Sequence, residues 1–273
     1  MDNSIENVNL SSSDSATKRF NLKSLILVIN YFITPFIIAA IIFFFLVDGD
    51  YPRSMMNSPI AIKFFQNNKF ILEDEEIFKD VFISVVISIT TLITFIIGVL
   101  LSRKRTDSIS TKKSEATLVK LLLLGVGLGI FMILWNIIIS QAYRLFGLSF
   151  KSENSQGIFR ALQYNKILLI INLLFSAPIG EEIVFKYGIF TFFHEIFHDQ
   201  GKILRIFIPA LISAFIFAMI HDGLYLVPLY IVPSFIGCLI YEKTKSLLPC
   251  IFGHFINNFI ALIMMLTQLT HLF

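Results

Sequence analysis

Ionisable and amide side chains interrupt three long apolar stretches of this chain. Glu181 and Glu182 lie in the first stretch, His221 lies near the end of the second, and His254 and Asn258 lie in the third. A charged side chain at bilayer depth costs about 2.5–3.5 kcal/mol on insertion scales, so such residues mark functional positions. Their matching chemistry in neighbouring stretches predicts one buried polar site built across a helical bundle.

The first stretch could supply a general base. Glu182 and Lys186 are four residues apart, so they share a helical face and can form an ion pair within the membrane. Glu181 is rotated by about 100° from that face and stays free to act on another group, such as a water molecule. The alternative is an ion pair that only holds two helices together.

The histidines suggest partners for such a base. His221 ends the segment Phe217-Ala218-Met219-Ile220-His221, although a lone histidine near a helix end is more often a hydrogen-bonded structural residue. His254 and Asn258 are four residues apart and can present donors to a single oxygen atom. A metal ligand pair would more usually be two histidines or a histidine with a carboxylate, so this pair favours an oxyanion hole.

A rival pattern is present in His194-Glu195-Ile196-Phe197-His198, which fits the His-Glu-x-x-His arrangement of two zinc ligands and a glutamate base. Asp222 is a conceivable third ligand of a membrane-embedded zinc protease. Against this alternative, the pattern borders a polar turn at 199–202, where histidine and glutamate are ordinary residues. A zinc site at this pattern would also give no function to Glu181, His254 and Asn258.

The composition identifies the elements that must position these residues. The chain has 273 residues, of which 56% are hydrophobic and 15% charged, with a mean hydropathy of +0.78. Soluble domains have about 25% charged residues, so the composition predicts a membrane protein. The net charge of +3 and the basic residues clustered beside apolar segments give no nucleic-acid signal. Cys238 and Cys250 are predicted to be packing residues rather than a disulfide.

A transmembrane helix needs about 20 mostly apolar residues. Seven stretches meet this requirement, which predicts an all-α, polytopic membrane bundle of about seven to eight helices with a polar site in its core. Residues 1–21 are predicted to be a disordered cytoplasmic tail and residues 22–273 a single transmembrane domain. The predicted spans are 22–47, 81–102, 118–146, 167–193, 204–221, 224–241 and 247–270.

Charges between the spans predict the orientation in the cell membrane. Loop 103–120 holds six basic and two acidic residues, a balance of +4, whereas 48–80 holds four basic and seven acidic residues, a balance of −3. The positive-inside rule therefore places the N-terminus in the cytoplasm. A short amphipathic helix is expected around 59–70, on the other side of the membrane.

Single polar and small residues in the spans predict how the helices pack. Gly125 and Gly129 form a small-xxx-small pair that is typical of closely packed helices. Asn30, Asn136 and Asn172 are predicted to form hydrogen bonds between helices.

One inconsistency concerns depth. At 1.5 Å per residue, the predicted boundaries separate Glu181 and His221 by roughly 15 Å along the membrane normal. The two residues can share a water only if a helix is irregular, so a non-ideal or re-entrant element is predicted within 176–233, where Pro178 precedes the carboxylates.

Taken in order, Glu-Glu-x-x-x-Lys (181–186), Phe-x-x-x-His (217–221) and His-x-x-x-Asn (254–258) resemble the motifs of the CAAX-protease and bacteriocin-processing (CPBP, or Abi) family. Members of that family are multi-spanning, glutamate-dependent intramembrane proteases. The resemblance covers roughly residues 175–260. Lys186 stands where the family usually has arginine, and lysine keeps the charge but lacks the planar fork of a guanidinium.

The resemblance implies a metal-independent peptidase with its catalytic core in 175–260 and no cofactor, acting on a peptide or membrane-protein substrate. Glu181 with His221 would activate a water, and His254 with Asn258 would stabilise the oxyanion. The supporting residues would be Glu182, Lys186 and Phe217.

Other classes of function remain open at this point. The chain could be an ion or proton pathway, a membrane scaffold that binds a partner protein, or a bacteriocin immunity protein that acts with or without proteolysis. A Glu181→Ala substitution separates these classes, because a peptidase loses cleavage whereas a scaffold keeps its phenotype.

Overall fold

The computed structural model of the protein describes residues 22–46, 53–64, 66, 72–102, 114–164 and 166–270. These residues form helices and contain no strand, which confirms the all-α fold. The predicted tail at 1–21 and the basic segment 103–113 lie outside the described residues. The helices are α1 (Leu22–Leu46), α2 (Arg53–Met56), α3 (Pro59–Phe64), α4 (Glu75–Ser102), α5 (Leu118–Leu145), α6 (Glu153–Tyr164), α7 (Lys166–Ile196), α8 (Lys202–Asp222), α9 (Val227–Thr244) and α10 (Leu248–Thr270).

The long helices have the length and surface of membrane spans. Within the described residues, α4, α5, α7, α8 and α10 each contain a stretch long and apolar enough to cross a membrane, and α1 contributes the shorter apolar segment Ser24–Ile38. Many large apolar side chains on these helices face outward, among them Ile87, Leu134 and Ile137. Each of the seven predicted spans coincides with a helix, but α9, predicted as the span 224–241, is not among the described helices that are long and apolar enough to cross a membrane. The protein is a multi-pass membrane protein.

Where a helix is expected around 59–70, the structure describes α3 at Pro59–Phe64, and residues 65 and 67–70 lie outside the described residues. The second span is longer than predicted, because α4 begins at Glu75 rather than at residue 81. Asp74 precedes α4 and accepts a hydrogen bond from the backbone N–H of Ile77 at 3.0 Å. This cap starts the helix among charged residues, upstream of the apolar stretch.

Helices α5 and α10 pack closely through glycine. A Cβ atom on Gly129 would lie 2.8 Å from the Cβ of Ile256, and a Cβ atom on Gly253 would lie 3.0 Å from the Cβ of Leu128. Neither position has room for a larger residue unless a neighbour moves. The predicted close packing at Gly129 is therefore confirmed.

Three asparagines connect helices through their side-chain amides. Each of the three predicted residues donates from its side-chain amide to a neighbouring helix, which confirms the prediction. The bonds are Asn30 to the Thr94 carbonyl, Asn136 to the Asn257 side chain and Asn172 to the Ser88 carbonyl, at 3.2, 3.2 and 2.9 Å.

Helix α7 is irregular where the sequence predicts it. Two π-helical stretches, Asn172–Ser176 and Ile183–Phe190, flank the α-helical segment Ala177–Glu182. Pro178 has no N–H with which to continue the α-helical hydrogen bonds, and the N–H of Ala177 bonds to the carbonyl of Asn172 in the wider i→i+5 pattern. The irregular element predicted within 176–233 is therefore present, and it changes which face of α7 the carboxylates occupy.

Candidate active site

Three of the predicted site residues, each from a different helix, meet around one carboxylate oxygen. Glu181 lies on the α-helical segment of α7, His221 at the end of α8 and His254 on α10. The Oε2 atom of Glu181 is 3.7 Å from Nε2 of His221 and 3.8 Å from Nε2 of His254. The three side chains are only 12%, 13% and 8% exposed. The site is thus a polar cluster enclosed by the bundle.

The second ring nitrogen of each histidine has its own acceptor. Nδ1 of His221 lies 2.8 Å from the carbonyl oxygen of Phe217, and Nδ1 of His254 lies 3.1 Å from Oε1 of Glu182. Carbonyl and carboxylate oxygens only accept, so each Nδ1 donates. A neutral imidazole then carries its lone pair on Nε2, the atom that faces Glu181.

The predicted ion pair between Glu182 and Lys186 is present and buried. Nζ of Lys186 lies 2.8 Å from Oε2 of Glu182, and the two side chains are 3% and 5% exposed. Because Oε1 of Glu182 also accepts from His254, the three residues form a chain of lysine, carboxylate and imidazole. A carboxylate behind a histidine fixes the orientation of its ring, as in serine protease triads.

Sequence reasoning did not predict the bond between Glu182 and His254. The two residues are 72 positions apart and on different helices, and no local pattern signals their contact.

Phe217 packs against both imidazoles of the site. Its ring centroid is 4.3 Å from that of His221 and 6.3 Å from that of His254, and Nζ of Lys186 lies 5.4 Å from the same ring. The supporting residue of the second motif therefore contributes an apolar surface on which both histidines rest.

Asn258 is engaged elsewhere. Its amide donates to the carbonyl of Leu173 at 2.9 Å, in the first π-helical stretch of α7, and its Oδ1 accepts from Asn257 at 3.3 Å. The structure thus does not direct the Asn258 amide and His254 Nε2 toward the same oxygen. In this arrangement Asn258 fastens α10 to α7.

A small cavity of about 50 Å³ adjoins the cluster between α5, α9 and α10. Glu182, Lys186 and His254 line one side of it, and Asn136 and Asn257 add amide groups. A cavity of this size and polarity has room for one or two water molecules.

The two histidines of the zinc pattern differ in exposure, and Asp222 lies far from both. His194 is buried, whereas the His198 side chain is 61% exposed and its Nδ1 lies 3.2 Å from Oδ1 of Asp199. Asp222 ends α8, roughly 30 Å from the start of that helix next to the pattern. In the part of the chain that the structure describes, no three histidine, cysteine, aspartate or glutamate side chains are grouped to hold a metal ion.

The two cysteines agree with their predicted packing role. Cys238 and Cys250 are both free and buried, and the thiol of Cys250 donates to the carbonyl of Gly237 at 3.3 Å.

Comparisons with known proteins match the region of the three motifs. The model of the family described as "Type II CAAX prenyl endopeptidase Rce1-like" matches residues 163–260. A protein of Bacillus subtilis (strain 168), named "Putative membrane peptidase YdiL", is 29% identical over 181 residues, which are 66% of this chain and 71% of that protein. No match to a solved structure was found. These two matches support the resemblance of the three motifs to the CAAX-protease and bacteriocin-processing family.

Proposed function

We propose that the protein is a membrane-embedded peptidase that hydrolyses a peptide bond with a water activated by Glu181 and His221, without a metal ion. One observation carries this proposal, namely the distance of 3.7 Å between Oε2 of Glu181 and Nε2 of His221. The distance exceeds that of a direct hydrogen bond and suits two groups that share a water.

With His221 in its neutral form, the hydrogen-bond roles of the two groups fit a shared water. Because Nδ1 of His221 donates to Phe217, Nε2 of the neutral ring is an acceptor, and the Glu181 carboxylate is also an acceptor. Two facing acceptors repel unless a donor lies between them. A water with one O–H toward each would be held with its lone pair free to attack a carbonyl carbon.

The proposed reaction begins when the water oxygen attacks the peptide carbonyl while its proton moves to the Glu181–His221 pair. The carbonyl oxygen becomes an oxyanion, which the Nε2–H of a protonated His254 would stabilise. The C–N bond then breaks as the leaving amine takes the proton from the pair, which leaves an acid and an amine. Glu182, with Lys186 behind it, would hold the His254 ring in place through Nδ1.

One N–H of the Asn258 amide is occupied by the Leu173 carbonyl, which leaves its second N–H as the only donor that it could offer to the oxyanion. In the arrangement described above, its contribution to the reaction is to hold α10, and with it His254, against α7.

The proposed substrate is a peptide or a membrane-protein segment. The matched family description names a CAAX prenyl endopeptidase and the Bacillus relative is named as a membrane peptidase, so both names point to peptide bonds at a membrane. The catalytic core would be residues 175–260. The charge balances of the loops support an N-terminus in the cytoplasm.

The test uses the full chain in detergent with a panel of fluorogenic peptides. Glu181→Gln should reduce kcat by about 10²–10⁴-fold, because a positioned general base contributes that much, while the unfolding temperature stays near that of the wild type. The matched control is Glu195→Gln, which removes the glutamate of the zinc pattern and should retain activity. A chelator should have no effect.

Two results would contradict the proposal. Cleavage that persists in Glu181→Gln would exclude the carboxylate as the base. Cleavage that a chelator abolishes, that zinc restores and that depends on Glu195 would support the zinc alternative instead.

A further inference from the structure

Asp222, which follows His221 at the end of α8, gathers three donors from two other segments. Its Oδ2 atom accepts hydrogen bonds from the hydroxyl of Tyr230 at 2.5 Å and from the hydroxyl of Ser152 at 2.8 Å. Its Oδ1 atom accepts from the backbone N–H of Asn154 at 3.0 Å. One carboxylate thus joins the end of α8, the start of α9 and the start of α6. We call these four residues the Asp222 latch.

The bonds of the latch are strong ones. Hydroxyl donors to a carboxylate form short, charge-assisted bonds of about 2.5–2.7 Å, near the two observed distances. Ser152 also caps α6, because its Oγ accepts from the N–H of Ser155 at 2.9 Å. The negative charge of Asp222 lies at the N-terminus of α6, where the helix dipole favours it.

The latch contacts the proposed site through Tyr230. The ring centroid of Tyr230 lies 4.8 Å from that of His221, whose other aromatic neighbour is Phe217 at 4.3 Å. Because Asp222 holds the hydroxyl end of Tyr230, the ring cannot move away from the imidazole unless that bond breaks. His221 thus packs against a ring whose hydroxyl is held by the latch.

We propose that Asp222 and Tyr230 are positioning residues that hold the imidazole of His221 beside Glu181, and that the same carboxylate fastens the start of α6 over this end of the bundle. The consequence for catalysis rests on the proposed function. The fastening of α6 is a structural claim that can be measured without any substrate.

The chain carries two built-in probes of the latch. Trp135 is the single tryptophan, and its indole N–H donates to the carbonyl of Pro228 at 2.9 Å, in the segment between Asp222 and Tyr230. Lys151 is exposed and precedes Ser152, so trypsin can cleave there if the segment loosens.

The experiment compares Asp222→Asn and Tyr230→Phe with the control Tyr225→Phe. The Tyr225 hydroxyl donates to the carbonyl of Ser149 at 2.8 Å, so the control removes a hydroxyl bond near the latch without changing its carboxylate. Both latch variants should lower kcat about tenfold with KM within about twofold, because a misplaced catalytic group slows the chemical step. The control should stay within about twofold of the wild type in both constants.

The structural readouts use the same purified proteins without substrate. Asp222→Asn should raise the rate of tryptic cleavage after Lys151 about tenfold and increase the quenching of Trp135 by acrylamide, because the segment opens more often. If the wild type cleaves no peptide, the proposed function fails and these readouts alone decide the latch. The proposal would be overturned if Asp222→Asn and Tyr230→Phe had the same tryptic cleavage rate and the same kcat as Tyr225→Phe. A rise in the KM of the two latch variants at unchanged kcat would also overturn it.

Discussion

The buried pair of Glu182 and Lys186 allows a sharp test of the electrostatics of the site. The two charged atoms lie 2.8 Å apart, and both side chains are at most 5% exposed. Removing one partner of such a pair leaves an unpaired buried charge and costs about 3–5 kcal/mol, whereas replacing both is often neutral. Lys186→Met should therefore be much less stable than the double variant Glu182→Gln/Lys186→Met.

Thermal unfolding in detergent can be followed through the cysteines. Cys238 and Cys250 are the two cysteines of the chain and both are buried, so a thiol-reactive fluorogenic dye reacts only as the protein unfolds. At about 2–4 °C per kcal/mol for a chain of this size class, Lys186→Met should lower Tm by roughly 10 °C. The double variant should lie within about 4 °C of the wild type, although without activity, because Glu182 also orients His254.

A matched control comes from a more exposed pair. Lys245 and Glu242 are 3.0 Å apart and 18% and 24% exposed, so Lys245→Met should change stability by less than about 1 kcal/mol and Tm by less than about 4 °C. The reasoning is refuted if the double variant is as unstable as Lys186→Met, because the loss would then come from packing rather than from an unpaired charge. A Tm of Lys186→Met equal to that of the wild type would also refute the reasoning.

Further predictions use the same thermal assay. Gly129→Ala should lower the free energy of unfolding by about 1–3 kcal/mol, because the added methyl group overpacks α5 against α10. In Gly127→Ala the new methyl group meets nothing within 4 Å, so the free energy of unfolding should be unchanged or rise by up to about 1 kcal/mol. Equal effects of the two substitutions would contradict the close approach of the helices. Asn172→Ala should lower the free energy of unfolding by about 0.6 kcal/mol, because the hydrogen bond to α4 is lost. A decrease above about 2 kcal/mol would show that this single hydrogen bond does not account for the contribution of Asn172 to stability. Phe217→Ala should cost about 3–5 kcal/mol, and peptide cleavage should fall as well because both imidazoles lose their apolar support.

The positions of the helices could be predicted from the sequence because their cause is local. A run of about 20 apolar residues spans the bilayer wherever it occurs, so each of the seven predicted stretches coincides with a helix. The start of α4 was missed because hydropathy stops at the charged residues 73–76, whereas backbone hydrogen bonds continue through them once Asp74 caps the helix. A local capping signal was present there and could have been used.

The identities of the polar residues were also readable, because lipid penalises each of them individually. Glu181, His221 and His254 stand out by that cost alone, and the order of their motifs points to the family. The i,i+4 ion pair of Glu182 and Lys186 follows from helical periodicity.

The partners of these residues across the bundle were decided by the tertiary structure. The bond from Glu182 to His254, the engagement of Asn258 by Leu173 and the binding of α6 by Asp222 all join residues more than 60 positions apart. Such contacts depend on how far each helix is rotated about its axis and how deep it lies in the membrane. In α7, two π-helical stretches change the rotation and the depth of the side chains, and a hydropathy pattern does not predict these stretches. The sequence therefore determined which side chains the membrane interior must accommodate, and the packing of the helices decided which of them meet.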